Sequence, residues 1–249
     1  MVISKVMARV LSIHAHPDDA EILAGGTLAL LAGRGHHITI ATMTPGDCGS
    51  ADLGPDEIAA VRRAEASSAA ALIGADYVCV ELRDLAIFND DASRRRVVEI
   101  LRRTRPDLIL TSSPSAYLCD HEATSLLVRD ACFAAPAPNY QAAGESLTGI
   151  PHLYFMDPIE GKDREGDPVS PEFLIDVTPV FDRKRQMLAC HASQREWLRH
   201  HHGTDDYLIQ MERWTHERGK LAGLQYAEGF RQYRGHPYPT TPLLQELLA

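Results

Sequence analysis

The chain has no run of about 18 apolar residues, the length a membrane-spanning helix needs. Met1 to Arg9 also offers no long apolar leader segment, so neither a signal peptide nor a membrane span is expected. Basic charge is in short supply. There are 25 Lys and Arg against 34 Asp and Glu, a formal charge of −9, which argues against nucleic acid or an anionic membrane as the main partner. Cysteine is sparse and scattered. Cys48, Cys79, Cys119, Cys132 and Cys190 are odd in number and form no C-x-x-C pair, which fits a reducing cytoplasm better than a disulfide framework. No G-x-G-x-x-G opens the first strand–helix turn, and no P-loop pattern occurs. A non-catalytic nucleotide-binding α/β module is therefore the remote reading, since that turn carries acids that would face phosphates. Internal repeats and low-complexity segments are missing as well.

What is present alternates. Residues 6–13 read as an apolar strand, 21–34 as an Ala/Leu-rich helix, and 37–43 as a β-branched strand. Residues 55–73 form a helix opened by Pro55 and stopped by Gly74. A third strand over 77–82, a basic amphipathic helix over 92–104, a fourth strand over 107–111 and a helix over 121–134 follow. This β-α-β-α-β-α-β-α order predicts a mostly parallel sheet with helices on both faces, a Rossmann-like three-layer α/β sandwich. Beyond a Pro/Gly connector at 136–151, strands are expected at 152–156 and 173–177, and helices at 179–200 and 205–222. No boundary is evident, so residues 1–249 read as one domain, with about 136–249 its more divergent C-terminal part. Right-handed crossovers put every parallel strand end on one edge, where ligands bind in such sheets. Polar loops follow all four leading strands.

The densest chemistry follows the first strand, in His14-Ala15-His16-Pro17-Asp18-Asp19-Ala20-Glu21. His16 and Asp19 are two residues apart in a Pro-stiffened loop and can both reach one cation. Catalytic zinc takes three protein ligands and keeps a position for water. His121, after the fourth strand, is the best third ligand. Asp18 is then left to act as base on a metal-bound water. Zn²⁺ or another divalent transition metal is the expected cofactor. Two plainer readings compete: Asp18-Asp19 as the N-cap of the next helix, and His14 as a packed or ligand-supporting histidine.

With these residues in view, the chain resembles the PIG-L/LmbE-like N-acetylglucosaminyl deacetylases, whose signature (P/A)-H-P-D-D-x-E matches Ala15 to Glu21. The family's T-x-G-[DE] matches Thr44-Pro45-Gly46-Asp47, its R-x-x-E matches Arg62 to Glu65, its Asp after the third strand matches Asp84, and its D-H matches Asp120-His121. The resemblance implies an LmbE-like fold and zinc-dependent hydrolysis of an acetamide on an N-acetylglucosamine-type sugar or its conjugate. It implies His16, Asp19 and His121 as ligands, Asp18 as general base, and Arg62 and Asp84 as sugar-binding residues. The alternative within the same chemistry is a metal-dependent amidohydrolase on another N-acyl substrate. The family also suggests a homo-oligomer, with His236 as a candidate cap on a neighbouring subunit's site.

One departure stands out. Many relatives carry H-P-D-H, and this chain has Leu118-Cys119-Asp120-His121. Leu118 cannot donate to an oxyanion. His191 is the candidate replacement, and Tyr117 is a second donor placed among the substrate-binding residues. The run His200-His201-His202 is expected to be exposed rather than metal-binding, because consecutive helix residues do not face one point.

Overall fold

The computed structural model describes residues 7–195 and 206–249. Burial decides the layering. Five of six residues are buried in β1 (Arg9–His14) and in β2 (His37–Thr42), as are all four of β4 (Leu108–Thr111). Strands buried on both faces need helices on both sides. Those helices are α1 (Asp19–Leu23), α2 (Gly25–Gly33), α3 (Pro55–Ala71), α4 (Asp91–Thr104) and α5 (Cys119–Ala134), with β3 (Asp76–Cys79) between α3 and α4. The second half adds β5 (His152–Met156), β6 (Phe173–Asp176), α6 (Phe181–Ala189), α7 (Tyr207–Lys220), β7 (Ala227–Gln232) and α8 (Leu243–Leu248).

All seven strands join one sheet in the order β3-β2-β1-β4-β5-β7-β6. β1 to β5 are parallel, and β7 runs antiparallel between β5 and β6. The period of two along each strand divides the interior into two cores. Leu11, Ile13, Ile109, Leu153 and Phe155 enter one; Val10, Leu108, Leu110, Tyr154 and Met156 enter the other. This is the expected α/β sandwich. The strand order reverses between β1 and β4, whose ends lie side by side with Ile13 opposite Thr111. Their two loops therefore open onto the crevice where such sheets bind ligands.

Three expectations change. The helix expected over 21–34 is two helices, α1 and α2, broken at Ala24 (φ −138°). The break is stabilised from far along the chain: Gly26 N and Thr27 N each donate to the Glu228 carboxylate at 2.8 Å, capping α2 from β7. Gly26 is required there, since a Cβ would lie 2.6 Å from Val177. Next, β7 and α8 lie beyond residue 222, on either side of the irregular 235–239, where the pattern names no strand or helix. Apolar alternation is broken in β7 by Glu228 and Arg231, which find partners only in the folded chain. Finally, the helix expected over 179–200 begins at Phe181 and α6 ends at Ala189, while 196–200 and the run His200-His201-His202 lie outside the described residues.

Lys184 completes the Glu228 clasp. Its ammonium is fully buried, 2.5 Å from Glu228 Oε1, and donates to Ile22 O at 2.7 Å. Burial pushes the Lys184 ammonium below its ordinary pKa despite the pull of Glu228. One charge pair thus ties β7, α2, α1 and α6 together. Lys184→Met should strand the Glu228 carboxylate and lower stability by about 3–5 kcal/mol in urea denaturation. Adding Glu228→Gln should recover part of that loss.

Candidate active site

The turn out of β1 is strained where it matters. Asp18 has φ 105°, a left-handed conformation that costs a non-glycine residue roughly 1–3 kcal/mol and gathers at functional sites. It stands at the N-cap position of α1, yet its side chain makes no capping hydrogen bond. The Asp18 carboxylate lines the cleft instead. Tyr207 Oη donates to Asp18 Oδ2 at 2.5 Å, and Arg62 Nη2 stands 3.4 Å from the same oxygen. Arg62 Nη2 also donates to Pro17 O at 2.7 Å, which holds the strained turn. Burial raises the Asp18 pKa, against the opposing pull of Arg62.

Asp19 turns its carboxylate toward two imidazoles. Its Oδ1 lies 3.2 Å from His121 Nε2 and its Oδ2 lies 3.6 Å from His16 Nδ1. His121 reaches this point from the first turn of α5, which begins two residues earlier than the pattern suggests. One donor atom each from His16, Asp19 and His121 falls within 4.8 Å of the others. Two imidazole nitrogens and a carboxylate oxygen are a donor set that fits Zn²⁺ and its first-row neighbours. The far side of His16 supports the fit. His16 Nε2 meets Asp120 Oδ2 at 3.1 Å, and that same oxygen accepts from Leu85 N at 2.7 Å. With a cation at the cluster, a carboxylate on Nε2 would keep the proton there and leave the Nδ1 lone pair for the ion, the usual support for a ligating histidine.

The electrostatics match a cation site. Burial opposes charge on His16, but Asp120 and Asp19 outweigh it and raise the imidazole pKa to about 10. Burial likewise opposes charge on Asp19, and His121 and His16 hold its carboxyl well below the usual range. His14 shows the contrast. It packs in the core against Ser12 Oγ at 2.6 Å, and burial pushes it down to about 4.

The other expected residues divide. Tyr117 lines the cleft edge-on to His121, with ring centroids 5.5 Å apart. Arg62 lines the cleft but is nearly buried and committed to the Asp18 turn. Asp84, expected at the substrate, does not line the cleft. It accepts from Thr44 Oγ1 and from Cys48 N at 2.9 Å, bracing the loop after β2. His191, expected to serve the oxyanion, also has no surface in the cleft. It is fully buried with Nε2 3.5 Å from Glu21 Oε2. Sequence reasoning assigns no role to Asp120 or Tyr207. Adjacency to His121 was a signal for Asp120. Tyr207 had none, being 189 residues from Asp18.

Residues 11–132 match the PIG-L family, described as GlcNAc-PI de-N-acetylase. A PIG-L family domain thus spans residues 11–132. The chain is 28% identical over 192 residues to 4-oxalmesaconate hydratase of Pseudomonas putida, covering 74% of this chain and 73% of that one. It is 24% identical over 245 residues to diacetylchitobiose deacetylase of Thermococcus kodakarensis, covering 90% and 82%. Among solved structures, N,N'-diacetylchitobiose deacetylase from Pyrococcus horikoshii superposes with a TM-score of 0.77 at 25% identity, covering 95% of this chain and 89% of that one. The relatives of this chain thus include both deacetylases and a hydratase.

Asp120→Ala should leave the fold intact and weaken Zn²⁺ binding about 10–100-fold, read by competition with a chromophoric chelator. An affinity equal to that of the parent protein would remove Asp120 from the site.

Proposed function

We propose that this protein is a metal-dependent N-deacetylase acting on an N-acetylglucosamine-type sugar or its conjugate. The observation that carries this reading is the convergence of His16, Asp19 and His121 beside an Asp18 carboxylate that nothing else occupies as a cap. A divalent ion held by those three side chains would supply Lewis acidity and make water a nucleophile near neutral pH. Asp18 takes the proton from the attacking water. It returns that proton to the nitrogen as the C–N bond breaks, leaving acetate and a free amine. Burial moves its pKa upward from the ordinary carboxylate value, which makes it a stronger base than an exposed aspartate. Tyr207 and Arg62 hold the carboxylate in place. Tyr117, beside His121, donates to the oxygen that becomes negative in the tetrahedral state, the part Leu118 cannot play.

A second reading is hydration of an unsaturated polycarboxylate, favoured by the hydratase relative. The cleft charge weighs against it. Among the described lining residues, Asp18, Asp19, Glu160, Asp206 and Glu217 face only Arg62, Lys162 and Arg213. A held divalent ion would only bring these charges to balance, without the positive surplus that a substrate of several carboxylates draws on. The five free cysteines fit the reducing cytoplasm. Among the described residues no helix is long and apolar enough to cross a membrane.

Acetate release from N-acetylglucosamine and N,N'-diacetylchitobiose should be seen with the Zn²⁺-loaded protein. Asp18→Asn should cut the rate at least about 100-fold while metal content stays near parental. Turnover of an unsaturated tricarboxylate without acetate release from either sugar would favour the hydratase reading.

A further inference from the structure

Beyond the reacting end, the cleft runs on into surface that this chemistry does not use. Its volume is about 910 Å³. That is near the top of the range of roughly 300–1,000 Å³ that accommodates drug-sized ligands, so one N-acetylated sugar ring leaves much of it unfilled. Part of the lining is apolar. Ile159 comes from the segment after β5, and Ile209 and Trp214 come from α7. Ile209 is 61% exposed, and Ile159 and Trp214 are partly buried in the same lining. Ligand clefts are lined mainly by apolar and aromatic side chains of this kind. Charged groups stand around them: Glu160, Lys162, Arg213 and Glu217.

The apolar wall is held in place from behind. The Arg218 guanidinium lies over the Trp214 ring, 4.2 Å from its centroid. Arg218 Nε is 2.5 Å from Asp157 Oδ2, and Nη2 donates to Val169 O at 3.2 Å. Gly161 (φ 62°) leaves room for this packing, since a Cβ would lie 2.2 Å from Arg218 Nη2 and 2.4 Å from the Trp214 ring. Glu160 beside it is held at φ 56°. Arg218 therefore fixes α7 against the segment after β5, and the two apolar contributions reach the cleft already placed. A surface ordered before the ligand arrives loses little entropy on binding it.

We propose that Ile159, Ile209 and Trp214 form a second, apolar subsite. The substrate then carries an aromatic or alkyl group joined to the N-acylated sugar, and Trp214 and Ile209 determine that specificity. The sugar assignment rests on the deacetylase reading; the apolar subsite is read by binding and needs no turnover.

The test compares affinities in Zn²⁺-loaded protein carrying Asp18→Asn, so that ligands survive the titration. Isothermal titration should give phenyl N-acetyl-β-glucosaminide at least about tenfold tighter binding than N-acetylglucosamine, and tighter binding than N,N'-diacetylchitobiose. Adding Trp214→Ala should bring the phenyl-to-free ratio toward one. Ile209→Asp, at an exposed position that folding does not depend on, should do the same. A ratio near one before those changes, a ratio unmoved by both of them, a larger gain from the second sugar than from the phenyl ring, or no binding of the phenyl glycoside would overturn the subsite. Failure of the deacetylase reading looks different: protein retaining Asp18 would release no acetate from any of these sugars, and the affinity ratio would still decide the subsite.

Discussion

His16 is gripped between two carboxylates, Asp19 on Nδ1 and Asp120 on Nε2. Burial alone would strip charge from an imidazole in this position, as it does at His14 two residues earlier. At His16 the sign reverses because negative charge has been gathered around the ring. Such a surplus of buried negative charge is unfavourable unless cationic partners meet it. The loop after β1, the start of α5 and the loop carrying Leu85 are all arranged around that requirement. The donor set and the base beside it follow from it.

Holding the cluster takes distant chain. The reversal of strand order between β1 and β4 brings two strand ends together, so His16 and His121 meet although 105 positions separate them. The strained Asp18 backbone keeps its geometry because Arg62, from α3, grips Pro17 O, and because Tyr207, at the start of α7, holds the carboxylate. The second half of the chain is therefore not a covering laid over a finished site. It supplies a hydrogen bond to the proposed base and the far wall of the cleft.

The same half also locks the first half's helices. β7 enters the sheet antiparallel and carries Glu228 to the buried first-turn N–H groups of α2, with Lys184 answering the charge. A buried acid and a buried lysine look like defects in isolation. In the fold they form one charge-balanced joint between the sheet and three helices. Arg218 plays a comparable part on the cleft side, joining Asp157, Val169 and Trp214.

The amino-acid order by itself determined the alternating strands and helices of the first 134 residues, because apolar periodicity and Pro or Gly punctuation are local signals. It also determined which three side chains could ligate a cation, because His16 and Asp19 share one stiff loop and His121 follows a strand that must end on the same edge. It could not determine that α1 and α2 separate at Ala24, that β7 exists, or that His191 and Asp84 stay off the cleft. Each of those depends on partners far along the chain: Glu228 for Gly26, β5 and β6 for a strand with broken alternation, Glu21 for His191, Thr44 and Cys48 for Asp84. Tyr207 is the sharpest case, since an ordinary tyrosine 189 positions away acquires its place beside Asp18 only when α7 packs across the cleft. Local pattern encodes which element forms; which charges meet is decided by burial and distance in the assembled fold.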